Sequence, residues 1–378
     1  MAVAVAAAVL VAAGTAAAGP REQARRIHER LAGVPPTEAV LATMQADIAG
    51  GHATDAAMIA MDNSNFYSVT LKNFAAPWTN REQSVFVALN DYTATVIGMV
   101  RDDVPFNTLL SANLVYVGTG PGVPPYSPVN NDNYEALEAQ SADLKARLTA
   151  TTQTAASGLP AEATAGVLTT RAAAQAFFVA GTNRAMLRFT MLNHLCRDQQ
   201  QLNDTHLPTD RIQQDVSRSP GGDSRIYLNN CMGCHNGMDP MNQAFAYYNF
   251  DATAGRLEYT PGTVQPKYYR NATTFPYGYH TVDDHWANYW RKGTNSLLGW
   301  DAQLSGSGAG AKSMGEELAN STAFARCQVE KVFRNVCLRS PVDGADRSQI
   351  DSMTSSFRTG GYKLKRVFAE SAAYCMGD

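Results

Sequence analysis

The sequence predicts a mainly α-helical protein. In most long segments the apolar residues recur every three or four positions, which is the period of one face of an α-helix. Alternation of apolar and polar residues, which is typical of strands, occurs only over residues 225–228 and 257–260. With 378 residues, 45% of them hydrophobic, the chain is long enough for two domains or one large domain.

Helix signals follow one another along the chain. Residues 21–31 form the first predicted helix, and the Gly-Val-Pro-Pro-Thr run at 33–37 ends it and caps the next helix over 38–48. A longer helix is predicted over 81–101 because its apolar residues are spaced three and four apart. These residues are Phe86, Leu89, Tyr92, Val96 and Val100. The remaining predicted helices cover 134–148, 168–195 with a break near Gly181, 323–338, 344–358 and 362–374.

The best candidate for a domain boundary is the stretch 118–131, which holds four prolines and three glycines. We therefore predict an N-terminal helical domain over 20–120, a linker with a connecting helix over 121–160, and a second domain over 161–378 that ends in a three-helix module. Loops are predicted at 149–160 and at the glycine-rich run 306–310.

Composition limits the function classes. The formal net charge is −3 and the isoelectric point about 6.2, so a nucleic-acid-binding role is not expected. Residues 2–18 are small or apolar, and their last three alanines are followed by Gly19-Pro20. This pattern predicts a signal-like segment over 1–19 and an exported, periplasmic or extracellular protein. No later stretch is apolar enough to predict a membrane span.

The most specific motif is Cys231-Met-Gly-Cys234-His235. The C-x-x-C-H pattern attaches haem c: two thiols add to the vinyl groups of the porphyrin and the adjacent imidazole binds the iron. The alternatives are a disulfide, a zinc site or a thiol redox site. Zinc usually needs a second ligand pair at comparable spacing, and a thioredoxin-like site needs a strand and a helix around it; the sequence indicates neither.

Downstream of the motif, Asp239-Pro240 predicts an N-cap followed by proline at the first position of a helix over 241–249. Phe245, Tyr248 and Phe250 would then wall one edge of the porphyrin and raise its reduction potential.

Several stretches together resemble the planctomycete-type cytochrome c domain family, a group of secreted haem proteins. They are Ala-Gly-Val-Leu-Thr-Thr at 165–170, C-x-x-C-H-x-x-M-D-P at 231–240, Ala-Phe at 244–245, Phe-Asp at 250–251, and the helical regions 65–117 and 324–365. The resemblance implies a periplasmic or surface protein with one covalent haem c held by Cys231, Cys234 and His235.

The sixth iron ligand is left open by the sequence. Met238 lies three residues after His235 and therefore on the same side of the porphyrin ring, so it is not favoured as the ligand on the opposite side. Met314, in a glycine-rich stretch, is the preferred candidate, and a thioether there would give a high potential. His280 or His285 would give bis-histidine ligation, and an open site is the remaining alternative.

Three function classes follow from these features. The favoured one is an electron-transfer protein with a redox partner. The second is a haem enzyme of peroxidase or oxygenase type, with Asp283, Asp284 and His285 as distal acid-base groups. The third is a structural subunit of a secreted haem assembly. No catalytic residue is predicted.

The four other cysteines, Cys196, Cys327, Cys337 and Cys375, are predicted to form two disulfides, as expected for an exported protein. Cys327 and Cys337 lie ten residues apart in one predicted helix, about 15 Å from each other, which is too far for a bridge. The last three helices should run up, down and up, so the C-terminal ends of the first and third meet. This geometry favours Cys337–Cys375 and leaves Cys196 for Cys327.

Overall fold

The computed structural model describes residues 18–179, 181–212, 224–268, 271–273 and 279–377. Helices dominate these residues, so the prediction of a mainly α fold is confirmed. The strands among them pair into three small antiparallel sheets of two strands each. Apart from its last two positions, the signal-like segment predicted over 1–19 lies outside the described residues.

The described N-terminal region contains five α-helices, of which the first two begin and end at the expected signals. They are α1 (Pro20–Ala32), α2 (Glu38–Ala49), α3 (Ala53–Met61), α4 (Lys72–Ala75) and α5 (Asp91–Arg101). Gly33 adopts a left-handed φ of 72° and its N–H bonds to the Glu29 carbonyl, which ends α1. The Thr37 hydroxyl accepts from the Val40 N–H and caps α2. Both predicted helices in this region are therefore confirmed.

The long helix predicted over 81–101 is wrong in its first half, because α5 begins only at Asp91. The Asn90 side chain accepts from the Thr93 N–H, and this cap starts the helix. The Asn80 side chain forms two hydrogen bonds with the Ser84 backbone and holds residues 80–84 in a turn. Phe86, which the helical spacing placed on the apolar face, is 94% exposed. The prediction began too early because the apolar spacing continues on the N-terminal side of Asn90, the residue that caps α5.

The middle of the chain mixes short helices with one hairpin-like pair of strands. Its elements are β1 (Val115–Gly118), α6 (Asp132–Ala139), α7 (Leu144–Arg147), β2 (Leu148–Thr151), α8 (Gln153–Ser157), α9 (Arg171–Phe177) and α10 (Arg184–Leu195). The single helix predicted over 134–148 is wrong, because the Asp143 carboxylate caps a new helix at the Lys145 N–H. The loop predicted over 149–160 is also wrong, since β2 pairs antiparallel with β1 and α8 follows. The break near Gly181 separates α9 from α10 as predicted.

The next segment contains the C-x-x-C-H motif and two further sheets. Its elements are α11 (Ser224–Asn230), α12 (Met232–Asn242), β3 (Tyr248–Asp251), β4 (Arg256–Tyr259), β5 (His285–Ala287) and β6 (Ser307–Ala309). The strand expected at 225–228 is wrong, because those residues are helical in α11. The strand expected at 257–260 is present as β4, paired with β3. The run 306–310 is not simply a loop, since β6 pairs with β5.

Four helices complete the described chain: α13 (Gly310–Ala319), α14 (Thr322–Cys337), α15 (Gly344–Thr359) and α16 (Leu364–Tyr374). The last three occupy the predicted positions, and α14 packs against both α15 and α16. The predicted pairing of the cysteines is confirmed: Cys196 is bonded to Cys327 and Cys337 to Cys375, with Cα–Cα distances of 5.4 and 5.5 Å.

One buried hydrophobic cluster extends from Ala24 in α1 to Ala372 in α16. Two N-terminal helices, α1 and α3, pack directly against the C-terminal helix α16. The boundaries of the two domains proposed from sequence stay a prediction. Among the described residues, no helix is both long and apolar enough to cross a membrane.

Candidate haem-attachment site

The C-x-x-C-H motif forms the start of α12. Cys231 directly precedes the helix, and its carbonyl accepts from the backbone N–H groups of Cys234 and His235, at 3.2 Å each. The two thiols and the imidazole therefore project from a single helical turn. Both thiols are partly exposed.

The two motif cysteines carry unpaired thiols, whereas the other four cysteines form disulfides. The Cys234 sulfur lies 3.6 Å from the Gln199 carbonyl and 3.9 Å from the Asn203 side-chain amide. Burial raises the pKa of the Cys234 thiol above its usual range. The motif follows the helix α11 and not a strand, which disfavours the thioredoxin-like alternative.

The His235 ring is fixed by a carboxylate one turn further along α12. Its Nδ1 lies 3.0 Å from Asp239 Oδ2, and the imidazole is 19% exposed while the Asp239 side chain is 1% exposed. Because Nδ1 is engaged in this hydrogen bond, Nε2 is the nitrogen through which His235 would bind a metal.

A third side chain joins this pair from α10. The Arg184 guanidinium lies 3.3 Å from His235 Nδ1 and 3.5 Å from Asp239 Oδ1. Arg184 is the first residue of its helix, and the preceding Asn183 adopts a left-handed φ of 55°. The buried Asn183 amide donates to the carbonyls of Phe245 and Tyr248, at 2.8 Å each, so the start of α10 is anchored beside α12.

The role predicted for Asp239 is wrong in one respect. It does not cap a helix over 241–249, because α12 runs through Asp239 and Pro240 to Asn242. Pro240 cannot donate a hydrogen bond to the Asn236 carbonyl, and α12 ends two residues later. The chain then continues through a 3₁₀ turn, Gln243–Phe245, into β3. Helical spacing of four residues places Asp239 beside His235.

The far side of α12 is packed closely against the rest of the protein. A Cβ atom at Gly237 would overlap the indole nitrogen of Trp290, which is fully buried. The buried Asn236 amide donates to the Leu207 carbonyl at 3.2 Å. Gly237 thus lets α12 approach the Trp290 ring closely. This contact and the Asn236 hydrogen bond fix the position of the motif turn.

The aromatic residues predicted to wall the porphyrin lie in a buried cluster. Phe245 and Tyr248 are fully buried, and both rings pack against the ring of Phe178. The Phe178 ring centroid lies 5.4 Å from that of Phe245 and 5.5 Å from that of Tyr248. Phe250 is half-buried in β3. Their contact with a haem stays a prediction.

The candidate sixth ligands occupy different environments. Met314 is fully buried inside α13, so it does not lie in a conformationally free stretch as its glycine-rich neighbours suggested. The His285 side chain is 64% exposed and its Nδ1 lies 3.1 Å from Asp283 Oδ2. His280 is half-buried. Iron ligation by any of the three stays a prediction.

The donor set at the start of α12 fits haem c. It provides two unpaired thiols and one imidazole, all on one turn, with the imidazole held at Nδ1. Sequence reasoning found these three residues but missed Arg184, which lies about fifty positions upstream and carries no local motif. It also missed Trp290, for which Gly237 was the only signal.

Compared with known protein families, with curated proteins and with solved structures, the chain matches none of them.

Proposed function

We propose that this protein is an exported mono-haem c-type cytochrome that transfers electrons with, or within, a redox assembly. The observation that carries the proposal is the division of the cysteines. Four are joined in disulfides, and the two left unpaired are those of the C-x-x-C-H turn.

In this proposal Cys231 and Cys234 hold the haem through thioether bonds and His235 binds the iron. The haem would supply the one-electron chemistry. The protein would supply the orientation of His235 through Asp239, and close packing of α12 against Trp290. The likeness of 231–251 to the planctomycete-type cytochrome c domain family supports the same assignment.

Export to the periplasm or cell surface is part of the proposal. The two disulfides are compatible with an oxidising compartment. We infer a haem domain over 161–378 closed by α14 to α16 and preceded by an N-terminal helical domain over 20–120. The partner would be another redox protein.

The test is covalent haem content after expression with a cytochrome c maturation system. The wild-type protein should exceed its polypeptide mass by one haem and keep the haem through denaturation. The Cys231→Ala, Cys234→Ala double variant should lose it. The Cys337→Ala, Cys375→Ala variant is the matched control, because it also removes two cysteines but should retain haem. Haem that survives denaturation in the first variant would overturn the assignment.

Optical spectra distinguish the carrier from a haem enzyme. A low-spin ferrous protein that does not bind carbon monoxide supports electron transfer, because the iron then has two protein ligands. A high-spin protein that binds carbon monoxide supports the enzyme alternative. Co-purification with a stable partner would support the structural-subunit alternative.

A further inference from the structure

The hydrogen-bonded group His235, Asp239 and Arg184 contains one imidazole between two opposite charges. His235 and Asp239 come from one face of α12, and Arg184 is brought to them by the anchored start of α10. A carboxylate that is 1% exposed needs hydrogen-bond donors, and those of Asp239 include the His235 imidazole and the Arg184 guanidinium.

In a haem-loaded protein the hydrogen bond from His235 to Asp239 would act on the iron through the imidazole ring. A metal-bound histidine that donates Nδ1–H to a carboxylate becomes a more basic ligand. A more basic ligand stabilises ferric iron relative to ferrous iron, so this bond lowers the reduction potential.

Arg184 acts against this bond. A guanidinium only donates hydrogen bonds, so it cannot share a proton-bearing Nδ1 and instead competes for the Asp239 charge. Its own positive charge also disfavours the ferric state, which carries one more positive charge than the ferrous state. Both effects raise the reduction potential.

We propose that Asp239 and Arg184 are positioning residues that shift the reduction potential of a haem held by His235 in opposite directions. This inference rests on the proposed function.

The test is the midpoint potential of the haem-loaded protein, measured by spectroelectrochemistry. Asp239→Asn keeps the side-chain shape and should raise the potential by about 59 mV, a tenfold change in the one-electron equilibrium. Arg184→Gln should lower it, and Arg184→Lys, which keeps the charge, should stay nearer the wild-type value. Arg188→Gln is the matched control, since this arginine lies one turn along α10 and pairs with Asp198 instead.

Two results would overturn the inference while leaving the proposed function intact. One is a haem-loaded Asp239→Asn protein whose potential is unchanged or lower. The other is an Arg184→Gln protein whose potential does not fall further than that of Arg188→Gln. The Arg184 side chain is 36% exposed, so its variants keep the question testable if Asp239→Asn fails to fold. A wild-type protein without covalent haem would overturn the proposed function, and this inference with it.

Discussion

The two disulfides should stabilise the protein to different extents, because they close loops of different length. The Cys196–Cys327 bond spans 131 residues and the Cys337–Cys375 bond spans 38. If each bond acts mainly by restricting the unfolded chain, its contribution grows with the logarithm of this length. Removal of the longer bond should cost about 5 kcal/mol of unfolding free energy, and removal of the shorter one about 4 kcal/mol.

The perturbation is replacement of both cysteines of a pair by alanine. The comparison is well matched, because each pair joins one buried cysteine of α14 to one half-buried cysteine elsewhere. Local packing losses should therefore be similar, and the difference of about 1 kcal/mol should reflect loop length.

The assay is equilibrium unfolding in urea at pH 7, followed by circular dichroism and tryptophan fluorescence, with the same haem content in every sample. The slope and the midpoint are both fitted, since loss of a cross-link also changes the surface exposed by the unfolded chain. The reasoning is refuted if the variant without Cys337–Cys375 loses as much stability as the variant without Cys196–Cys327, or more.

Two further predictions concern stability. Gly237→Ala should cost roughly 1–3 kcal/mol in urea unfolding, because its Cβ overlaps Trp290. Gly344→Ala is the control, since no atom lies within 4 Å of its Cβ; an equal loss there would contradict the argument. Hydrogen bonds from Arg339 hold the pKa of Asp346 well below its usual range, so Asp346 stabilises the fold above about pH 4 and loses this effect as pH falls. Urea midpoints from pH 7 to 2 should therefore fall more steeply for wild type than for Asp346→Asn, and parallel curves would show that this pair is not responsible.

The sequence was sufficient where helix geometry or a short motif decided the outcome. The disulfide pairing followed from helix length and from the alternation of helix directions, and both cysteines of α14 lie where that reasoning placed them. The motif turn was equally local. Its three donors lie within five residues, so no distant part of the chain was needed to predict them.

The errors arose where two local signals conflicted or where the partner was distant. Asp-Pro at 239–240 is a common helix start, yet Asp239 also lies four residues after His235, and this second relation prevails in the structure. The apolar spacing that predicted one helix over 81–101 continues on both sides of Asn90, but the helix begins only after Asn90, whose side chain caps it. Arg184 reaches the site only because the fold brings α10 beside α12, which no local pattern records.

The position of the motif within the longer disulfide loop affects how the protein responds to proteolysis. Cys231, Cys234 and His235 all lie between Cys196 and Cys327, which are covalently joined. A single backbone cleavage anywhere from 197 to 326 therefore produces two pieces that remain linked through sulfur. The shortest covalent path from Cys196 to Cys375 then runs through only the ten-residue step from Cys327 to Cys337 in α14. A protein nicked once near the C-x-x-C-H turn would keep its two fragments together under denaturing conditions and would release them from each other only after reduction.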